Sequence, residues 1–257
     1  MSIPRFTSEI LLKAAEWNPF FFFDFDGTLA EIVPTPEEAG LKPIARHVIM
    51  ELAAKFPIGI ISGRKLNELR KLVGIKGIFY SGNHGVEIEG PGVKFVEPNS
   101  AKSSGYIISL GQKIRKALSQ YHPRINLKKY SVSIHYRTVD PAKVKQLLAE
   151  LDKIISGPVC AGRIDVFHGK KVVEIKAPVD WDKGKAIELI LKKIGKQGTP
   201  VFFGDDTTDE YGFKKVNELN GLSVFVGKRQ RRTAAKYRTG SPAELVGELA
   251  KFLFERK

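Results

Sequence analysis

The sequence predicts an α/β fold: a parallel sheet with helices on both sides and a smaller α/β domain inserted into it. Three observations carry the prediction. Short apolar runs without polar alternation recur, as strands buried on both faces require. They are "FFFF" at 20–23, "PIGIIS" at 57–62, "GIFYSG" at 77–82, "PVFFGD" at 200–205 and "LSVFVG" at 222–227. Stretches with apolar residues at three- and four-residue steps lie between them, and strand then helix, repeated, implies a parallel sheet. From about Asn99 to Ala177 the pattern changes to alternating strands flanked by helices. That fits an antiparallel sheet with one face on helices and the other open.

In chain order, helices are expected over Ser8 to Trp17, Pro43 to Phe56 and Arg64 to Val73, with Ile44, Val48 and Leu52 marking the period of the second. The middle segment reads as a helix over Ala101 to Gln120, the strands "RINLKK" and "SVSIHYR", a helix over Pro141 to Ile155, and the strands "GRIDVF" and "KKVVEIK". In "SVSIHYR", Val132, Ile134 and Tyr136 alternate with Ser131, Ser133 and His135. Helices over Lys183 to Ile194, Asp209 to Leu219 and Pro242 to Phe254 complete the pattern. The expected organisation is a discontinuous core, 1–98 and 178–257, with an inserted domain at 99–177 that could cover a site on the core.

The chain has 257 residues, 42% of them hydrophobic, enough for a sizeable core. Phe20 to Phe23 is far too short to span a bilayer, and "MSIPRFTSE" lacks the features of a signal peptide. A single cysteine, Cys160, excludes an internal disulfide and a multi-cysteine metal site. These features predict a cytoplasmic protein, without a membrane partner, monomeric or weakly oligomeric. A formal charge of +14 suits an anionic partner: nucleic acid, an acidic membrane or a phosphorylated small molecule. The densest basic run, Gly227 to Arg238, holds Lys228, Arg229, Arg231, Arg232, Lys236 and Arg238. It reads as a solvated face or as a general attractor of anions. No nucleic-acid-binding motif accompanies it, so no nucleic acid partner is expected.

Residues 20–36, "FFFFDFDGTLAEIVPTP", run a greasy strand into Asp24 and Asp26. At a strand's end, residues i and i+2 share a side, so both carboxylates would face one point beyond the sheet's carboxyl edge, where open α/β sheets bind ligands. Like charges that close need a cation or a shared proton. A calcium-binding loop is excluded: its fifth, sixth and twelfth positions would be Thr28, Leu29 and Thr35. A plain turn is the remaining rival. "PVFFGDDTTDE" repeats the design with Asp205, Asp206 and Asp209, and Thr207 with Glu210 has the spacing of a capping box. Oxygen donors without His or Cys fit Mg2+. In "IISGR", Ser62 could hold a phosphate at a helix start or simply cap that helix. In "VDWDKGKAI", Lys183 opens a helix, against the helix dipole, and needs an anionic neighbour.

"DFDGTL", "IISGR", the lysine of "DKGKA" and "FFGDDTTDE", in this order, resemble the four motifs of the haloacid-dehalogenase-like phosphatase superfamily. With "SGNHGVE", "SVSIHYR" and "VVEIKAPVDWDKGKA", the chain is similar to the trehalose-6-phosphate phosphatase family from about Phe20 to Phe254. The resemblance implies a Rossmannoid core with an inserted cap and a Mg2+-dependent phosphatase acting on a small-molecule sugar phosphate. It implies Asp24 as nucleophile and Asp26 as general acid and base, with Ser62 and Lys183 on the phosphate oxygens. The metal would meet the Asp24 carboxylate, the Asp26 backbone carbonyl and Asp205, supported by Asp206 or Asp209. Substrate contacts fall at Gly27, Thr28, Gly63, Arg64, Asn83, His84 and Asp209 in the core and at Lys128, Arg137 and Glu174 in the cap. Asn126 stands where many relatives carry an acidic residue, so a contact there loses its charge-assisted strength. Another glycosyl phosphate, such as sucrose 6-phosphate or glucosylglycerol phosphate, is the alternative substrate. A phosphomutase would need a second phosphate site that the sequence does not show. A basic nucleic-acid-binding protein is the alternative of another class. Asp24→Asn is expected to leave the fold intact, as a surface carboxylate is not needed for packing.

Overall fold

The computed structural model describes residues 3–15, 18–33, 39–169, 171–195, 198–228 and 232–256. Trp17 at the end of the first expected helix, Thr35, and Arg229 and Arg231 of the basic run lie outside them. The elements are α1 (Ser8–Ala15), β1 (Phe20–Phe23), α2 (Pro43–Lys55), β2 (Ile58–Ile61), α3 (Leu66–Val73), β3 (Phe79–Gly82), β4 (Glu87–Gly90) and β5 (Val93–Val96). Then follow α4 (Pro98–Ala117), β6 (Arg124–Leu127), β7 (Ser131–His135), α5 (Pro141–Cys160), β8 (Asp165–Gly169) and β9 (Val172–Lys176). Last come α6 (Lys183–Ile194), β10 (Pro200–Gly204), α7 (Asp209–Glu218), β11 (Leu222–Val226), β12 (Tyr237–Thr239) and α8 (Pro242–Glu255). The chain divides into two compact units, Met1–Phe95 with Trp181–Lys257, and Val96–Asp180.

The larger unit is built on an eight-stranded sheet, ordered β12-β11-β10-β1-β2-β3-β4-β5. β1 lies at its centre, parallel to β10 on one side and β2 on the other. The unbroken "FFFF" is explained by its surroundings. Phe21 and Phe23 pack with Leu11, Val48, Leu52, Leu249 and Phe252 of α1, α2 and α8. Phe20 and Phe22 pack on the opposite face with Ile187, Ile190 and Phe213 of α6 and α7. All four rings are buried, each worth roughly 1.5–3 kcal/mol by transfer from water. Phe23 also stacks on Phe203, its partner across the ladder, at 5.0 Å.

Three strands of this sheet depart from expectation. β4 pairs antiparallel to β3, β5 follows it, and β12 closes the other edge in parallel with β11. Each is short, half-exposed and peripheral, so it lacks the continuous apolar run that marks the central strands. β12 begins inside the basic run, with Tyr237 and Arg238, so part of that run is sheet edge rather than a free solvated face.

The smaller unit carries an antiparallel sheet in the order β6-β7-β9-β8. Val132, Ile134, Val173 and Ile175 face Ile107 and Ile114 of α4 and Leu147 and Leu151 of α5. The polar face was expected to be open, yet Ser131 and Ser133 are buried on it. Ser133 sits in register between Asn126 and Glu174, whose longer side chains flank it on both sides. α4 begins three residues before the expected start, because the Glu97 carboxylate accepts the N–H groups of Asn99 and Ser100. α5 runs on to Cys160 with Pro158 in its last turn, where a proline forfeits only one intrahelical bond.

Candidate active site

The order of the larger sheet places its switch point between β1 and β10: the chain winds outward from β1 through β2 and β3 and returns on the other side at β10. At such a point the carboxyl ends of the strands leave a crevice. Asp24 follows β1, Asp205 follows β10, Ser62 follows β2, and Lys183 is the first residue of α6.

Lys183 is buried, and its Nζ donates to Asp24 Oδ1 at 2.8 Å and to Asp209 Oδ1 at 2.6 Å. The two carboxylates explain a cation at a helix N-terminus. Burial works against the charge of Lys183, but Asp209 and Asp24 outweigh it and hold the ammonium protonated. Asp209 accepts the backbone N–H groups of Asp205 and Asp206, both at 2.9 Å, on its other oxygen. It therefore links α6, α7 and the loop after β10. Burial pushes the pKa of Asp24 well above the usual carboxylate range; Lys183 opposes this, while Asp209 and Asp205 add to it. Asp24 is 5% exposed, so the expected surface carboxylate is in fact buried, because the greasy strand ends inside the crevice rather than at its rim.

Asp24, Asp205 and Asp209 each offer an oxygen, and these oxygens lie within 4.8 Å of one another. Three carboxylates served by one lysine carry excess negative charge, and hard oxygen donors suit a divalent cation such as Mg2+. The donor set fits a hard divalent cation. Gly27 makes the cluster possible: its φ is +88°, and a Cβ there would overlap the Asp205 carboxylate.

Asp26 does not converge on the same point. The period-two argument ends with β1 at Phe23; beyond it the chain turns, with the N–H groups of Leu29 and Ala30 bonded to the Phe25 carbonyl. Both Asp26 oxygens accept from Arg64, Oδ2 from Nε at 2.7 Å and Oδ1 from Nη2 at 2.6 Å. Arg64 Nη1 donates to Glu68 Oε1 at 2.7 Å, and the guanidinium lies 5.6 Å from the centre of the Phe25 ring. Asp206 is likewise turned away from the acidic group, its Oδ1 accepting the N–H groups of Thr208 and Asp209. It caps α7, so the expected Thr207–Glu210 capping box does not form; Glu210 accepts from the Ala234 N–H instead.

Ser62 does not cap α3, which starts at Leu66; its buried hydroxyl accepts the Arg64 N–H at 3.2 Å. The loop is strapped to the next motif, Asn83 N–H to the Arg64 carbonyl and His84 N–H to the Ser62 carbonyl. Asn83 and His84 both have positive φ, 51° and 58°, a strained pair that the straps hold in place. A Cβ on Gly63 would meet the His84 ring. Asn83 Nδ2 donates to Glu87, while its buried Oδ1, like the buried Thr28 Oγ1, has no hydrogen-bond partner among the described residues. Two idle polar atoms buried beside the crevice are what a polar ligand would satisfy.

In the smaller unit, Lys128 and Glu174 approach to 4.0 Å. Asn126 and Glu174 flank Ser133, and Arg137 is exposed beyond β7. Sequence reasoning missed Glu68, and it gave no role to Glu87, the last residue of "SGNHGVE". Glu68 had a readable signal, an acidic residue four positions after Arg64 at helical spacing.

Fold and site together define an α/β protein with an open, mostly parallel sheet that carries an acidic cluster, a lysine and a serine at its switch point. The family model described as Trehalose-phosphatase matches residues 22–243. Probable trehalose-phosphate phosphatase 4 of Oryza sativa is 31% identical over 247 residues, covering 93% of this chain and 66% of the relative. Trehalose-phosphate phosphatase B of Arabidopsis thaliana is 33% identical over 259 residues, covering 92% and 67%. The C-terminal domain of Candida albicans trehalose-6-phosphate phosphatase superimposes with a TM-score of 0.79 at 24% identity, over 98% of both chains, a likeness in fold. The chain belongs to the trehalose-phosphatase family. It spans about two thirds of the length of the curated relatives that it matches.

Proposed function

We propose that this chain is a Mg2+-dependent phosphatase that hydrolyses trehalose 6-phosphate to trehalose and phosphate, acting as a cytoplasmic monomer or weak oligomer. The observation that carries the reading is Asp24: a buried carboxylate at the switch point, paired with a buried lysine and grouped with Asp205 and Asp209. Family membership supports the substrate.

Asp24 attacks phosphorus and the bond to the sugar oxygen breaks, leaving an aspartyl-phosphate; a single difficult step becomes two easier ones. Asp26 gives the leaving sugar oxygen its proton, then takes one from the water that cleaves the acyl phosphate. Asp24, Asp205 and Asp209, with the Asp26 carbonyl, would hold Mg2+, whose charge would offset the repulsion between carboxylate and phosphate dianion. Lys183, Ser62 and the idle hydroxyl of Thr28 meet the non-reacting phosphate oxygens. Gly27 and Gly63 let backbone approach closely, and Asp209 keeps Lys183 aimed. Arg64, Asn83 and His84 serve the sugar in the larger unit; Lys128, Arg137 and Glu174 are the sugar-directed residues of the smaller unit, at about residues 99–177, read as the specificity domain. Asn126, with an amide beside Ser133 rather than a carboxylate, favours testing sucrose 6-phosphate and glucosylglycerol phosphate alongside.

A phosphate-release assay over these sugar phosphates tests the reading. Turnover is expected to require Mg2+, to be highest on trehalose 6-phosphate, and to fall by about three orders of magnitude or more in Asp24→Asn. Preference for another hexose phosphate removes the substrate assignment, and near-parental activity in Asp24→Asn removes the nucleophile.

A further inference from the structure

Arg64 is shared between two carboxylates. Three of its N–H groups are spent on Asp26 and Glu68, at 2.6–2.7 Å, and its side chain is only 10% exposed. The Asp26 and Glu68 side chains are 38% and 40% exposed, so the cation is buried and both anions face outward. Both Asp26 oxygens are occupied. A carboxyl that hands a hydrogen to a leaving oxygen must have one of them released. A buried guanidinium cannot give up a carboxylate without another acceptor, since an unpaired charge there costs several kcal/mol. Glu68, one helical turn further on, already holds one of its N–H groups, and the flat face of Phe25 lies beneath the guanidinium.

We propose that Glu68 is a positioning residue: it receives Arg64 when substrate arrives and so frees Asp26 for the leaving oxygen. Arg64 exchanges a two-point contact on Asp26 for one on Glu68, keeping its charge paired throughout. The role rests on the phosphatase reading above. It also makes Arg64 the element that couples sugar contact to proton donation.

Glu68→Gln and Glu68→Asp are assayed beside the parent protein, with Mg2+, on trehalose 6-phosphate and on p-nitrophenyl phosphate. The aryl oxygen is a good leaving group and gains little from an acid; the sugar oxygen is poor and depends on one. Glu68→Gln is expected to lower kcat on the sugar phosphate about tenfold more than on the aryl phosphate, the scale of one charge-assisted hydrogen bond. KM should change less, and Glu68→Asp should restore part of the loss. A merely structural role lowers both rates together. Equal falls on the two esters, no fall on either, or a loss confined to KM overturns the proposal. A parent protein inactive on both esters overturns the phosphatase reading itself, and this role with it.

Discussion

Both oxygens of Asp209 already accept hydrogen bonds. It is fully buried, one oxygen takes the Lys183 ammonium, and the other takes two backbone N–H groups. Removing it leaves the buried Lys183 with Asp24 as its one remaining carboxylate and strands two backbone N–H groups. Asp209→Ala is expected to destabilise the protein by about 3–5 kcal/mol, read as a lower urea midpoint at unchanged m; a loss under about 1 kcal/mol would contradict the arrangement. At this scale the residue types were legible in the sequence and their directions were not. Lys183 at a helix start signalled an anionic neighbour, and two were found. The Asp26 and Asp206 carboxylates could have joined the acidic cluster, yet nearer partners, Arg64 and the N–H groups of Thr208 and Asp209 at the start of α7, capture them. Ser62 and Thr207 looked like helix caps because spacing alone cannot say where a helix begins.

Elements with one dominant environment were readable; those at edges were not. β1, β2, β10 and β11 are buried on both faces and appear as plain apolar runs. β4, β5 and β12 have mixed composition because one side meets water. β7 turns Val132 and Ile134 to the helices as expected, although Ser131 and Ser133 are buried as well, and its last residue, His135, has a stability consequence. Burial lowers the pKa of His135, helped by Arg124 and Lys128 and opposed by Glu174. The unfolded chain then binds a proton near the ordinary value of about 6.5 while the folded protein does not. Stability from this group is full above that value and is lost as pH falls below it toward the folded pKa. The melting temperature of the parent should drop on acidification from about pH 7 to below 6 more steeply than that of His135→Gln. Parallel curves for the two proteins would show that His135 is not responsible.

For the whole molecule, sheet order does what no local segment can: it sets β1 beside β10, so that Asp24 and Asp205 meet. A cation bound by Asp24, Asp205 and Asp209 stabilises the native state alone, because the unfolded chain has no such cluster. Mg2+ at a hundredfold over its Kd should add about 2.7 kcal/mol, seen by calorimetry as a melting temperature that climbs with Mg2+. Asp205→Asn should lose most of that rise, and a parent protein indifferent to Mg2+ would argue against the site. By itself the sequence determined what repeats locally: strand and helix periods, the order of the motifs, and the oxygen-only donor chemistry. Only the tertiary structure decided which carboxylate faces which cation. Lys183 and Asp24 are 159 positions apart, and a side chain beyond a strand's end takes its direction from the loop and from the partner nearest in space.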